Sequence, residues 1–427
     1  MNAAIIFILL MVLMLTGMPI SISLGLTVLT FLFGFTNVPL ESVALKLFTG
    51  IEKFEIMAIP FFILAGNFLT HGGVARRMIN FASSMVGHWY GGLGLSGVLG
   101  CALFAAVSGS SPATVVAIGS ILLPAMVKAG FPKSFGAGVI TTSGALGILI
   151  PPSIVMVMYS VATNTSVGAL FMAGVIPGLA LAATLGGVTF YRARKFNYPR
   201  LPKASWGERL RTFKASAWGL LLIVIVMGGI YSGMFTPTEA AAMSAVYAFF
   251  VAVFVYKDMG LKDVPKVLLN SANMSAMLLY IITNAVLFSF IMTNENIPQA
   301  LADWMLGNGL GMITFLLAVN VILLLAGNFM EPSSIVLIFA PILFPVAMKL
   351  GIDPVHFGII MVVNMEVGMC HPPVGLNLYV ASGITKMGIT ELTVAVWPWL
   401  LSMLAFLLVV TYWPALSTWF PRMLGMM

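Results

Sequence analysis

Charge is what this sequence lacks. Of its 427 residues, 8% are Asp, Glu, Lys or Arg, while 60% are hydrophobic. Soluble domains carry about 25% charged residues, so water cannot be the main solvent of this chain. Cysteine is also scarce. Cys101 and Cys370 both lie in apolar segments, which excludes a disulfide framework or a cysteine metal site and reads as two small core hydrophobes. Catalytic signatures are missing: no HExxH, no P-loop lysine pattern, no GxSxG and no Rossmann fingerprint occurs. Nothing here hydrolyses ATP, and the lack of nucleophile–base pairs argues against an intramembrane enzyme. The apolar run over residues 1–15 has no small-residue cleavage site after it and continues to Phe35. It therefore reads as a membrane span, not a removed signal.

What remains is a series of long apolar stretches. Spans are predicted at 2–36, 54–70, 134–166, 167–192, 214–233, 236–256, 268–292, 354–386 and 390–420. Pro19 is expected to tilt or kink the first. Two further regions, 91–128 and 311–349, each read as two apolar halves around a polar kink. With a cytoplasmic N-terminus, the inner segments hold sixteen lysines and arginines, eight of them in 192–214, and the outer segments four. That bias sets orientation and places the C-terminus outside. The net charge of +7 is then read as a topology signal, with a nucleic-acid or lipid-switch role for the Arg192–Lys214 loop as the alternative.

The chain repeats itself. A shift of 221 residues superposes Pro124 on Pro345, Gly147 on Gly368, Pro151 and Pro152 on Pro372 and Pro373, and Pro177 on Pro398. In the topology above, one hairpin enters from inside and the other from outside. The expected fold is thus an all-α polytopic membrane protein of two inverted repeats, each with a re-entrant hairpin and a broken transmembrane helix. Such matched interruptions point to a secondary transporter's site. Four stretches follow: 1–53, an N-terminal span and external connector; 54–192, the first repeat with hairpin 91–128; 193–267, a basic cytoplasmic loop and two scaffold spans; and 268–427, the second repeat with hairpin 311–349.

Four segments break the apolar pattern at membrane depth: 108–114, 144–153, 327–334 and 364–375, all rich in Gly, Pro and small polar residues. Proline stops a helix and strips neighbouring backbone groups of partners. In hydrocarbon such backbone survives only where it lines a cavity or binds something. Pro112 and Pro332 sit where new half-helices begin, whose N-termini offer free N–H donors and partial positive charge. No Lys or Arg lies within the four segments. An anion would be held there by dipoles, hydroxyls, amides and bound cations, which suits Na⁺ coupling. Two acids stand out, Glu366 deep in a span and Glu331 at the second kink, because an intramembrane acid costs about 2.5–3.5 kcal/mol on insertion scales. Glu366 is read either as a protonated, hydrogen-bonded group or as tuning a cation site or carrying a proton. Glu331 is read as a cap, and His371 as a neutral donor, a switch or a packed ring.

These residues resemble the large membrane subunit of TRAP transporters, the tripartite ATP-independent periplasmic family. The resemblance rests on Ser-Gly-Ser-Ser-Pro-Ala-Thr-Val from Ser108, Gly-Ile-Leu-Ile-Pro-Pro-Ser from Gly147, and Phe-Thr-Pro-Thr-Glu-Ala-Ala-Ala from Phe235. Glu331-Pro, Phe-Ala-Pro-Ile-Leu-Phe-Pro from Phe339 and His-Pro-Pro-Val-Gly-Leu-Asn-Leu-Tyr from His371 complete it. It covers essentially the whole chain. It implies Na⁺-driven import of a carboxylate such as a C4-dicarboxylate or sialic acid across the bacterial inner membrane, by an elevator movement of hairpins and broken spans. It also implies a periplasmic substrate-binding protein and a small membrane subunit, here expected as a separate chain.

Carried over by resemblance, one cation site involves Ser108, Ser110, Gly147 and Ile150, and a second Gly327, Met330, Asn364 and Gly368. The substrate meets Ser111, Thr114 and Ser153 from one repeat and Asn328, Asn364 and Asn377 from the other. Glu331, Glu366 and His371 are candidates for tuning or proton transfer. Glu331 stands where the family often has Asp, and His371 where it often has Thr. Glu366 with Asn377 leans toward the C4-dicarboxylate branch. A proton-coupled carrier of another organic acid, a channel and a passive scaffold are the rival readings.

Overall fold

The computed structural model describes residues 2–36, 38–71, 73–309, 311–328, 330–373 and 375–427. Phe329 and Val374, inside two of the polar segments, lie outside the described residues. Among the described residues there is no strand. The chain opens with α1 (Asn2–Leu15), α2 (Ile20–Phe35), α3 (Leu40–Gly50), α4 (Ala58–His71) and α5 (Val74–Val86). Then come α6 (Gly92–Ser108), α7 (Ser111–Lys128), α8 (Lys133–Ser143), α9 (Ile154–Thr163) and α10 (Val167–Lys195). The middle holds α11 (Trp206–Tyr231), α12 (Pro237–Phe250) and α13 (Val264–Asn294). The last part runs through α14 (Ile297–Gly307), α15 (Met312–Gly327), α16 (Pro332–Lys349) and α17 (Pro354–Cys370) to α18 (Leu376–Thr385), α19 (Ile389–Tyr412) and α20 (Ala415–Met423).

Eight described helical stretches are long and apolar enough to cross a membrane. Their outward faces carry large apolar side chains: Phe33, Val224, Ile313 and Val394 are each more than 60% exposed, as expected where lipid is the solvent. Helix starts follow local chemistry. Asp353 accepts from Val355 N at 2.9 Å and His356 N at 3.1 Å to open α17. Thr236 and Glu239 form a capping box at α12.

The elements recur at one spacing. α7 and α16 begin and end 221 positions apart, and α5, α6, α8, α9 and α10 have counterparts in α14, α15, α17, α18 and α19. Each half also has a short helix break followed by a cis Pro-Pro bond, Pro151–Pro152 and Pro372–Pro373.

Three expectations need correction. Residues 2–36 are not one kinked span. Phe7 meets Phe288 edge-on at 6.4 Å and Gly25 faces Asn284, so both sit within about one turn of each other along α13. In a continuous helix residues 7 and 25 would be about 27 Å apart. The chain turns at Gly17, which has φ +82°, and α2 restarts after Pro19. The second broken span is interrupted later than read: 364–370 stay α-helical and the break begins at His371, because the first proline is Pro372. The equivalent 144–148 stretch tightens into a 3₁₀ turn. Finally, 390–420 is two helices, α19 and α20, divided at Trp413 and Pro414.

Glycines set how closely the halves approach the hairpins. A Cβ on Gly368 would lie 3.0 Å from the Cα of Gly327, and one on Gly147 would lie 2.6 Å from the carbonyl of Ser110. Added bulk in such a contact costs about 1–3 kcal/mol, more than the ~1 kcal/mol of helix propensity that Gly→Ala returns. Gly147→Ala and Gly368→Ala are therefore expected to lower the melting midpoint of the purified protein. Gly187→Ala, in open space within α10, is expected to hold or raise it. Equal midpoints for all three would show that these approaches are loose.

Candidate substrate and ion site

Each hairpin presents a tip and the start of a half-helix. In the first, Gly109 takes φ +60° between α6 and α7, a left-handed turn that glycine adopts without strain. Ser108 and Thr114 hydroxyls meet at 2.9 Å, and Thr114 Oγ1 donates to the Ser110 carbonyl at 2.8 Å. Ser110 occupies the N-cap position of α7 without any side-chain capping bond, and Pro112 falls in the first turn. In the second hairpin, Glu331 is the N-cap residue of α16, also without a capping bond, and Pro332 opens the helix. Ser334 Oγ donates to Glu331 Oε1 at 3.3 Å. Two helix N-termini are thus left with unsatisfied backbone donors.

Each tip seats on a helix break. Gly147 lies against Ser110 and Ser111, and Gly109 against the Pro152 carbonyl. On the other side, Gly327 crosses Gly368. The Asn328 amide, turned to satisfy its neighbours, donates to the carbonyls of Pro372 at 2.9 Å and His371 at 3.0 Å.

A small cluster of contacts bridges the halves at the level of the tips. Ser111 Oγ donates to Asn377 Oδ1 at 3.0 Å and accepts from Asn377 Nδ2 at 2.7 Å. Both residues are fully buried. Asn377 sits in the first turn of α18, which also lacks a side-chain cap. Cys370 Sγ donates to the Thr141 carbonyl at 3.4 Å beside this pair.

The other predicted residues make contacts of their own. Ser153 Oγ donates to the Ile148 carbonyl at 2.6 Å and caps α9, so it bonds within its own break. Ile150 packs against Gly178 of α10, and Met330 is buried next to the second tip. Asn364 donates to the carbonyl and side-chain oxygens of Asn320 at 3.0 and 2.9 Å, and Asn320 donates to Thr411 Oγ1 at 2.9 Å. This ties α17 to α15 and α19. It leaves Asn364 Oδ1 buried without a partner. Both oxygens of Glu366 are likewise buried without one.

Sequence reading missed Asn320, Thr411, Thr141 and Ser143. The last had a signal: the 221-residue shift carries Ser143 onto Asn364, and Ser143 Oγ is also buried and unpartnered. Among the described residues no group of His, Cys, Asp or Glu could hold a metal ion. What the site offers is oxygen ligands, amides and three uncapped helix starts, with no lysine or arginine among the residues named. That set suits an anion and a hard monovalent cation.

Residues 7–416 match the family described as Tripartite ATP-independent periplasmic transporter, DctM component. The chain is 76% identical, over all of both chains, to the C4-dicarboxylate TRAP transporter large permease protein DctM of Rhodobacter capsulatus. It is 56% identical, over 95% of both, to the protein of the same name in Pseudomonas aeruginosa. The Sialic acid TRAP transporter large permease protein SiaM of Vibrio cholerae is 36% identical over 96% of both. The fold of this chain is shared with the crystal structure of the Alcanivorax borkumensis YdaH transporter, at TM-score 0.59 and 15% identity over 88% of both chains. The apolar helices, the paired hairpins and these matches lead to one conclusion: the chain belongs to the DctM family of TRAP transporter large permeases, a family of multi-pass membrane transport components.

Proposed function

We propose that this chain imports a C4-dicarboxylate across the bacterial inner membrane, driven by a Na⁺ gradient. The observation that carries the reading is the Ser111–Asn377 pair, which joins the two halves at the uncapped starts of α7 and α18. An acid that docks there replaces the Ser111–Asn377 bond with its own and takes up helix dipoles that no side chain uses. Sodium ions offset its charge, one near Ser108, Ser110 and Gly147 and another near Gly327, Met330 and Gly368. Relatives named as C4-dicarboxylate permeases, at 76% and 56% identity, favour this substrate over sialic acid.

In this reading the halves are inverted repeats. The hairpins and α8, α9, α17 and α18 slide as an elevator against a scaffold of α1, α2, α4 and α11–α13. A separate small membrane subunit completes the scaffold, and a periplasmic binding protein delivers the acid. The pairing of α1 with α2 alters the expected orientation of one end. A helical pair returns the chain to its starting side, so the N-terminus joins residues 38–53 on the outer face, given the inner placement of the basic residues. The C-terminus stays outside.

A proton-coupled carrier is a second reading, favoured by the unpartnered Glu366 carboxyl. Glu366→Gln separates the two. Unchanged Na⁺-driven uptake across pH 6–8 sets the proton role aside, and loss of a pH-driven component restores it.

Three outcomes are expected. Proteoliposomes holding this chain, its small subunit and its binding protein accumulate dicarboxylate on an inward Na⁺ gradient; uptake indifferent to Na⁺, or undiminished without the binding protein, refutes the proposal. Ser110→Ala raises the Na⁺ concentration for half-maximal uptake by about tenfold, the ~1–2 kcal/mol of one lost ligand, while the melting midpoint holds; an unshifted titration removes Ser110 from the site. Asn2→Cys reacts with a membrane-impermeant maleimide from outside intact cells, against a low background because Cys101 and Cys370 are buried. Labelling only after permeabilisation would return the N-terminus to the cytoplasm.

A further inference from the structure

Away from the hairpins, a cavity of about 360 Å³ opens where α8 and α19 begin and α10 ends. Ser134, Phe135, Arg192, Tyr198, Glu391 and Trp399 line it. Two of its donor groups lack acceptors. The Nε of Arg192 is buried without a hydrogen-bond partner, and among the described residues no carboxylate lies within ion-pair distance of this guanidinium. The guanidinium carbon stands 5.1 Å from the Trp399 ring centre. α8 starts after Pro132 with no side-chain cap, and its first turn carries Lys133 and no acid. A cation at a helix N-terminus opposes the dipole, so this end is arranged against the usual preference unless an anion covers it. Two independent sets of unused donors therefore converge on one hollow.

The walls and mouth specify the anion further. Phe135 packs edge-on to Tyr198 and Trp399, with ring centres 4.7 and 5.5 Å away. The Trp399 indole N–H is already committed to Thr189 Oγ1 at 2.9 Å, so that ring offers only a face. Glu391, exposed in the first turn of α19, adds one acceptor at the rim. From the rim an apolar stripe runs down α19 through Val394, Leu401 and Leu408, which are 72%, 50% and 48% exposed. The basic run Arg192, Arg194 and Lys195, with aromatic rings around it, marks a membrane–water boundary.

We propose that this cavity holds the headgroup of a phospholipid, with its phosphate on Arg192 and the α8 N-terminus and its amine on Glu391. The acyl chains follow the α19 stripe into the bilayer. The chemistry recognised is a phosphodiester, and the aromatic walls and lipid-facing exit favour a lipid source over free phosphate. Because the lipid would bridge α8, α10 and α19, its loss loosens three helices at once. This site is independent of the transport reading.

The test is thermal unfolding of the delipidated full-length protein in detergent, with single additives. Phosphatidylethanolamine is expected to raise the melting midpoint, while diacylglycerol with the same acyl chains and inorganic phosphate leave it unchanged. The lipid shift is expected to fall at least ~twofold in Arg192→Gln, since binding to the folded state stabilises in proportion to occupancy. Equal stabilisation by diacylglycerol would reduce the cavity to an apolar groove and overturn the proposal. Equal stabilisation by inorganic phosphate would overturn the lipid source, and an undiminished shift in Arg192→Gln would overturn the role of the arginine. The wild-type arms decide the question even if the variant does not fold.

Discussion

Backbone amides and carbonyls cannot be left bare in hydrocarbon, and that constraint shapes the centre of this protein. Each unpaired group costs several kcal/mol in lipid. The chain nevertheless stops helices at Ser108, Ile148, Gly327 and Cys370. It survives this because every stop is covered by another. The Ser108–Ser110 tip seats on the break at Gly147 and Pro152, and the Gly327–Asn328 tip on Gly368, His371 and Pro372. Side chains complete the pairing locally: Ser153 takes the Ile148 carbonyl and Thr114 takes that of Ser110. The starts of α7, α16 and α18 are not completed in this way, and that remainder is what the proposed solute would take up.

The surrounding packing fits a site that must be rigid within each half and separable between them. Asn364, Asn320 and Thr411 lock α17, α15 and α19 into one unit. Glycine–glycine contact lets the second hairpin lie on α17 without an intervening side chain. At the tips the halves meet through Ser111 with Asn377 and Cys370 with the Thr141 carbonyl; away from the tips, Tyr159 with the Pro354 carbonyl and Trp399 with Thr189 join them as well.

Much of this was legible in the sequence because proline and glycine act locally. Pro112 and Pro332 announce the half-helices, and the 221-residue shift pairs the elements. Features decided at a distance were not legible. Gly17 and Pro19 interrupt a single apolar run, and only contact with α13 separates a hairpin from a kink. Asn364 enters the site by resemblance; that its amide N–H donates to Asn320, 44 positions away, while its oxygen stays unpartnered, is visible only in the fold. Glu366 stands out as an acid in an apolar segment, yet a sequence cannot say that both its oxygens are buried and unpartnered. Arg192 looked like one more member of a basic loop, and its buried Nε depends on where α8 and α19 meet α10.

The most direct measurement is a cryo-electron density map of this chain with its small subunit, in Na⁺ and dicarboxylate. The account predicts acid density between Ser111 and Asn377, with the hydrogen bond between them opened and a carboxylate facing the first turns of α7 and α18. Density for the acid on a lysine or arginine, with the Ser111–Asn377 pair intact, would contradict it.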